Sequence, residues 1–497
     1  MSHLTHRMGK GSSPIGLKAF ILFQIFRSFD KPLDMISLVS LPVALCGLAA
    51  SFFSFIVIFY RLQHQGIDLW HAGGLLFIIA VFCLACISLS AHYRHTRRIA
   101  SKAFTLQLTA TGIALALLFL GAEVMIRVVA EQTPEETFVG DTVLLPREWQ
   151  RVQAHRLADW ERSRQQSTII EPDATLGWTI GPNRKEIGIF GEMYFSNAYG
   201  LRTLANETDP KATAPALRIA ISGNSYAYGL DVTYDETWGH QLESRIGQHV
   251  QVLNFGVPAY GLDQSYLRYL RDIQDWHPDI VILALISHDL VRSGLVYYLI
   301  GFQGGRVPGA KPRLSVVGEE PFALNLPLPS PERIYSTSSI EDLPFVDFDI
   351  AYRPADWKWH LYQYSYLLRF AVSWNPTSLW SPYELAPDVE RVDKAILKSF
   401  VDTVRATGST PLVVFLPEYG EFRHSVRSPS EQQLLGRRVL QEAGVKFLDL
   451  TACLELVNAT SRFTLGWHYT AAANSAVAEC LLDEVSRLVG VILEHKS

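Results

Sequence analysis

The stretch Leu217–Gly229 reads LRIAISGNSYAYG, and its passage from an apolar run into a glycine-bracketed serine decides the fold of the C-terminal half. Leu217–Ser222 is short, nearly continuous in apolar character and rich in isoleucine. Such a run reads as a strand buried on both faces. Four more follow the same pattern: Val250–Asn254 (VQVLN), Ile280–Ile286 (IVILALI), Leu412–Leu416 (LVVFL) and Val445–Leu450 (VKFLDL). Helical periodicity lies between them. Val389, Val392, Ile396, Phe400 and Val404 recur at three- and four-residue steps, and Gly408 closes the stripe as a C-cap. Alternation of strand and helix predicts an α/β domain, a three-layer parallel sheet with helices on both faces.

Polar residues gather where these strands end. Gly223, Asn224 and Ser225 follow the first, at the edge where open α/β sheets bind ligands. A serine at a strand-to-helix junction also serves as an N-cap, so Ser225 has two readings here. Gly256 closes the second strand, and a glycine there permits close approach of its N–H to a ligand. The third strand ends in Ser287-His288-Asp289. His468, in Gly466-Trp467-His468-Tyr469-Thr470, sits on a loop before an alanine-rich helix near the C-terminus.

In this order the blocks resemble the SGNH (GDSL-type) hydrolase superfamily, a flavodoxin-like fold, over roughly residues 170–495. The first block is Gly223-Asn224-Ser225, with Asn where the family has Asp. The second keeps Gly256. The third, Ile286-Ser287-His288-Asp289, keeps Asp289 and replaces the family's Gly and Asn. The fourth keeps His468 but has Leu465 where the family's Asp stands three residues earlier. Leu176-Gly177-Trp178 and Asn197–Arg202 are similar to the lead-in of membrane-tethered members. The resemblance implies acyl transfer, with Ser225 as nucleophile and His468 as base and then acid. Ser225, Gly256 and His288 are the implied oxyanion donors, with Gly223, Asn224 and Asp289 in support. With no carboxylate among Thr464, Leu465 and Gly466, the expectation is a Ser–His dyad oriented by a backbone carbonyl, or an incomplete triad. Asp449 is the one remote carboxylate weighed for that place, against a structural role opening the next loop.

The N-terminal half is of another kind. Ile36–Tyr60 carries no charge, Trp70–Tyr93 carries no Asp, Glu, Lys or Arg, and Ala103–Ala130 is apolar until Glu123 and Arg127. A bilayer core asks for about 20 apolar residues in a helix. The expected organisation is a cytoplasmic segment (1–35), three transmembrane helices (36–130), a linker (131–170) and the hydrolase-like domain (171–497). Arg7, Lys10, Lys18, Arg27 and Lys31 precede the first run, and Arg94, Arg97, Arg98 and Lys102 join the second to the third. Only Arg61 lies in the first connection, and Glu131, Glu135 and Glu136 follow the third run. Lys and Arg stay inside, so the N-terminus is expected in the cytoplasm and the C-terminal domain outside the cytoplasmic (inner) membrane.

Residues 300–388 break the rhythm as an inserted segment, with Trp357, Trp359, Tyr362, Tyr364 and Tyr366 close together. These aromatics read either as a lid or sugar platform or as the small core of a subdomain. Cys453 and Cys480 fall in the external half, where a disulfide persists if the two meet. A net charge of -5 gives no reason to expect nucleic acid. With no metal-ligand spacing, phosphate loop or dinucleotide fingerprint, neither metal nor cofactor is expected. Two functions follow as expectations. One is a membrane-anchored esterase or O-acyltransferase acting on an acyl, most simply acetyl, ester of an envelope glycan or lipid-linked saccharide, beside envelope-biosynthesis partners. The other is a lapsed domain that binds polysaccharide or scaffolds an envelope complex.

Overall fold

The computed structural model describes residues 113, 116–117, 119–140, 142–166, 168–205, 209–212, 215–247, 249–302, 307, 309–373, 385–422 and 434–496. The first two apolar runs lie outside these residues, as does most of the N-terminal part of the third. Residues 119–129 of the third are helical. Among the described residues, no helix is long and apolar enough to cross a membrane.

The chain forms two compact units. One comprises residues 1–132, 137–146 and 358–374, the other residues 133–136, 147–357 and 375–497. In the first, Leu117, Leu120, Met125 and Val128 of the helical stretch are exposed. Its two charged residues are both engaged. Glu123 accepts from the N–H groups of Tyr366 and Leu367, each at 2.9 Å, at the start of the helix Tyr366–Ser373. Arg127 lies 4.5 Å above the Tyr366 ring and donates to the Tyr364 carbonyl. The aromatics Tyr364 and Tyr366, expected to belong with the insert, therefore fold with the apolar stretch that precedes the large domain.

The second unit is built on a five-stranded parallel sheet. Its strands are β1 (Leu217–Gly223), β2 (Val250–Asn254), β3 (Ile280–Leu285), β4 (Thr410–Phe415) and β5 (Phe447–Asp449), in the order β2-β1-β3-β4-β5. Adjacent pairs run parallel, with Leu217 beside Val250 and Ile280 beside both Ile219 and Thr410. Successive side chains go to opposite faces. Ile219, Ile221, Ile280, Ile282, Leu412 and Val414 pack with Trp238 and Leu242 of α2 (Trp238–Ile246) and with Ala473, Val477, Leu481 and Val485 of the C-terminal helix, α7 (Ala471–Lys496). Ala220, Val281, Leu283, Val413 and Phe415 face the other way. They meet Leu262 and Tyr266 of α3 (Leu262–Arg268), Ile396 and Phe400 of α5 (Pro387–Ala406), and Leu435 and Val439 of α6 (Leu435–Glu442). Two short helices, α1 (Ser225–Tyr228) and α4 (Ser287–Arg292), follow β1 and β3 directly. The three-layer α/β architecture is thus the one the strand and helix periodicities predict, and Gly408 takes the left-handed φ of +82° beyond α5.

Two expectations about organisation change. The stretch 131–170 is not a bare linker. It holds the antiparallel strands Glu131–Gln132, Thr137–Val139 and Thr142–Val143 and the 17-residue helix Trp149–Gln165. Trp149 and Val152 bury that helix in a third core with Leu176, Trp178, Tyr260, Tyr298 and the inserted residues Ile334 and Tyr335. The insert likewise completes this core up to Trp357, whose ring meets Trp149 edge-on at 6.2 Å, so its apolar residues are structural there.

Candidate active site

Order 2-1-3-4-5 reverses chain direction across the sheet between β1 and β3, and the loops after these two strands part at that point. Ser225 follows β1 here. Asn224 is the N-cap of α1, accepting from the Tyr226 N–H at 2.7 Å. Ser225 is therefore the first helical residue and not the cap, which leaves its Oγ uncommitted to the backbone. Asn224 also donates through Nδ2 to the Asp289 carboxylate. Asp289 accepts the Ile286 N–H at 3.0 Å and pairs with Arg292 at 2.8 Å. Its burial raises its pKa to about 7, against the pull of Arg292. Asn in place of Asp at 224 thus supplies a donor where a second carboxylate would meet the first.

His468 Nε2 lies 3.0 Å from Ser225 Oγ. Its Nδ1 lies 2.9 Å from Asp231 Oδ2. A carboxylate only accepts, so Nδ1 carries the hydrogen and Nε2 presents its lone pair to the serine hydroxyl. Burial pushes the Asp231 pKa up, but the hydrogen bonds and charge of His468 and Thr464 outweigh it and hold it below the ordinary value. The expectation of a dyad or an incomplete triad is therefore corrected: a carboxylate does orient His468. It comes from the loop six residues after Ser225, not from the family's position three residues before the histidine. Leu465, at that position, points into solvent with 89% of its surface exposed. Asp449 is engaged elsewhere, with Arg437 Nε at 2.5 Å and the Thr451 N–H at 3.0 Å.

Several elements hold this acid in place. Asp231 has a left-handed backbone, φ +69°, a conformation Asp tolerates better than most residues. Arg202, buried between the Tyr194 and Tyr228 rings, donates to the carbonyls of Tyr228 at 2.9 Å and Val232 at 2.5 Å, on either side of the acid. The Tyr194 hydroxyl accepts the Asp231 N–H at 2.9 Å. From the other side, Thr464 Oγ1 donates to Asp231 Oδ2 at 2.7 Å. At Gly466 a Cβ would fall inside the van der Waals envelope of that same carboxylate. The lead-in residues and the histidine loop thus converge on Asp231.

The expected oxyanion donors are placed less simply. The Gly256 N–H donates to Asn254 Oδ1 at 2.9 Å, and the glycine is needed because its Cα packs against the backbone of Ala227 and Tyr228. His288 Nδ1 contacts Glu418, a residue just beyond β4. Glu418 is buried beside Glu421, which accepts from Ser287 and from the Glu418 N–H. Burial raises the Glu418 pKa to about 8, with Arg292 opposing, and raises Glu421 further through the neighbouring Glu418. Burial and then Arg292 lower the pKa of His288. A Glu418 that keeps its proton donates to Nδ1, which leaves the ring hydrogen of His288 on Nε2. Gly223, with φ +159°, lets β1 close onto the Ala284 carbonyl of β3.

Glu135, His155 and Asp159 lie near enough to share an ion, but Glu135 already pairs with Arg156 at 2.7 Å. Cys453 and Cys480 are joined in a disulfide that ties the helix Thr451–Glu455 to α7.

No protein-family model matches the chain, and no curated protein matches it. Solved structures similar to it include a putative lipolytic protein of the G-D-S-L family from Desulfitobacterium hafniense DCB-2, 12% identical, TM-score 0.27, covering 55% of this chain and 99% of that one. A lipase/acylhydrolase from Enterococcus faecalis is 12% identical with TM-score 0.28, covering 54% and 95%. An acetylxylan esterase from Geobacillus stearothermophilus is 11% identical with TM-score 0.28, covering 55% and 95%.

Proposed function

We propose that this chain is a serine esterase or O-acyltransferase of the SGNH type, held outside a membrane by its N-terminal segment, acting on an acyl ester of an envelope glycan or lipid-linked saccharide. The observation that carries the chemistry is the chain of contacts from Ser225 through His468 to Asp231. Ser225 Oγ attacks the acyl carbonyl carbon while His468 Nε2 takes the hydroxyl proton, and Asp231 stabilises the imidazolium so formed. Collapse of the tetrahedral intermediate breaks the bond to the sugar oxygen, and His468 returns the proton to that oxygen. Water or a second sugar hydroxyl then gives its proton to His468 and attacks the acyl-serine. The product is an acid or a transferred ester, and Ser225 is restored with its proton.

Placement outside the membrane rests on the apolar runs before residue 130, their Lys/Arg asymmetry, and the Cys453–Cys480 disulfide, a bond that persists in oxidising compartments. A binding or scaffolding role without turnover draws on one observation. Of the three expected oxyanion donors, Gly256 spends its N–H on Asn254, and His288 has Nδ1 engaged by Glu418. Hydrolysis of small acetyl esters by the purified full chain separates the two. Release of acetate that vanishes in Ser225→Ala supports the esterase, whereas none from either protein, with polysaccharide binding retained, supports the binding role.

A further inference from the structure

Next to the catalytic histidine stands a tryptophan that is stacked on one neighbour and otherwise largely exposed. Trp467 has a left-handed backbone, φ +69°, a conformation that a non-glycine residue rarely adopts. Its main chain is nevertheless fixed, since the carbonyl accepts from the Tyr226 hydroxyl at 2.7 Å and the N–H donates to the Thr464 carbonyl at 3.1 Å. The indole is 64% exposed. It stacks on Tyr419, with ring centroids 5.6 Å apart and planes 16° from parallel. Tyr419 in turn meets the Phe463 ring edge-on at 5.5 Å. Tyr419 follows β4 and Trp467 precedes His468, so two separate loops from the catalytic edge of the sheet build one aromatic stack.

We propose that Trp467, backed by Tyr419, is the platform on which a sugar ring of the ester substrate stacks. This inference rests on the esterase reading above and names the residue that recognises the sugar of its substrate. A pyranose presents C–H bonds on one face and hydroxyls at its rim. The C–H face suits the electron-rich face of an indole, and the hydroxyls stay hydrated beside a ring that is itself mostly in water. An acyl chain asks for burial on all sides, which an open ring does not give. A ring that inserts into lipid projects from the surface, whereas this one lies against its neighbour. Trp467 adjoins His468 in the chain and its carbonyl is held by Tyr226, the residue after Ser225, so in this proposal the stacked sugar presents its acyl ester to Ser225.

The test compares methyl tetra-O-acetyl-glucopyranoside with ethyl acetate, an ester without a sugar ring, in wild type, Trp467→Ala and Trp467→Phe. In Trp467→Ala, kcat/KM for the sugar ester should fall at least tenfold further than for ethyl acetate, chiefly through KM, and Trp467→Phe should recover most of the difference. Saturation-transfer NMR reads binding without turnover. The ring protons of the sugar ester should receive saturation from Ser225→Ala protein and lose it in Ser225→Ala/Trp467→Ala. Loss of that transfer identifies the platform even if no variant hydrolyses ester, an outcome that would sink the esterase reading alone. Equal falls on both esters, unchanged saturation transfer, or a defect confined to ester presented in phosphatidylglycerol vesicles would overturn the sugar platform.

Discussion

Asp231 Oδ2 lies 2.9 Å from His468 Nδ1, although 237 residues separate them in the chain. The contact joins the loop after the first strand to the loop before the last helix. It supplies the charge that a histidine base needs, from a place the motif order does not mark. Asp231 is also the first acid after Ser225, so the serine and the acid share one loop while the histidine comes from the far end of the chain.

On the proposed mechanism, removing this acid should cost about as much as it does in serine hydrolases. Asp231→Asn keeps the size but supplies no charge, and kcat/KM on p-nitrophenyl acetate is expected to fall by roughly 10⁴-fold. Ser225→Ala should fall at least as far, with the double variant no lower than the worse single, because the three groups act as a unit. Leu465→Asp should bring no gain, since its side chain points to solvent and Nδ1 is already taken. Full activity in Asp231→Asn would reassign the acid.

Gly466 carries a second consequence of the same contact. A methyl group there meets the Asp231 carboxylate and must displace it or the histidine loop. Gly466→Ala should lower kcat by about 100-fold, the size of effect a misplacement near 1 Å produces, with the circular dichroism of the fold unchanged. Wild-type kcat in this variant would show that Asp231 has room to move without consequence.

The sheet was legible because its strands are buried on both faces, and a strand without a polar face shows as an unbroken apolar run. Ser225, Gly256 and His288 were legible at the ends of such runs, and His468 on the loop before the last helix. Asp231 was not, because its role depends on a tertiary meeting of two loops and on a left-handed backbone that no spacing announces. The signal available was chemical. Arg202 and Tyr194, in the lead-in, are polar residues with no evident purpose in the sequence, and both prove to hold the segment that carries Asp231. The helix Trp149–Gln165 was missed for a different reason: its sequence, WQRVQAHRLADWERSRQ, is too polar to show a stripe and buries only Trp149, Val152 and Arg156.

Around His288 the expected behaviour is pH-dependent. The groups facing one another are Glu418, Glu421, Asp289 and Arg292. While Glu418 holds its proton, with its pKa raised to about 8, His288 carries its hydrogen on Nε2 and can donate to an oxyanion. Ionisation moves that hydrogen to Nδ1 and removes the donor, so kcat/KM should decline as pH rises through about 8. His288→Asn carries an amide donor that does not titrate, and the decline should disappear. The same raised values bear on stability. Carboxyls with folded pKa above the unfolded value stabilise most at pH below about 4 and lose that contribution as pH rises through the folded value. For Asp289, raised from 3.8 to about 7, the loss is of the order of 4 kcal/mol. Tm should therefore drop between pH 5 and 8.5, and a Tm that rises over this range would contradict the assignment.

The topology has its own check. A reporter active only outside the cytoplasm, fused after Ser497, is expected to be active. Labelling of Cys453 and Cys480 by a thiol reagent should require prior reduction. Activity of a cytoplasm-only reporter at the same position, with both thiols free, would reverse the orientation.

The central claim is that Ser225 is a nucleophile activated by His468 and Asp231. The most direct measurement is reaction of the purified full chain with a fluorophosphonate probe, followed by mapping of the modified residue. A single modification on Ser225 is expected, absent in Ser225→Ala and slowed by at least 100-fold in His468→Ala and Asp231→Asn. Undiminished labelling of Ser225→Ala, or a labelling rate that does not respond to His468 and Asp231, would contradict it.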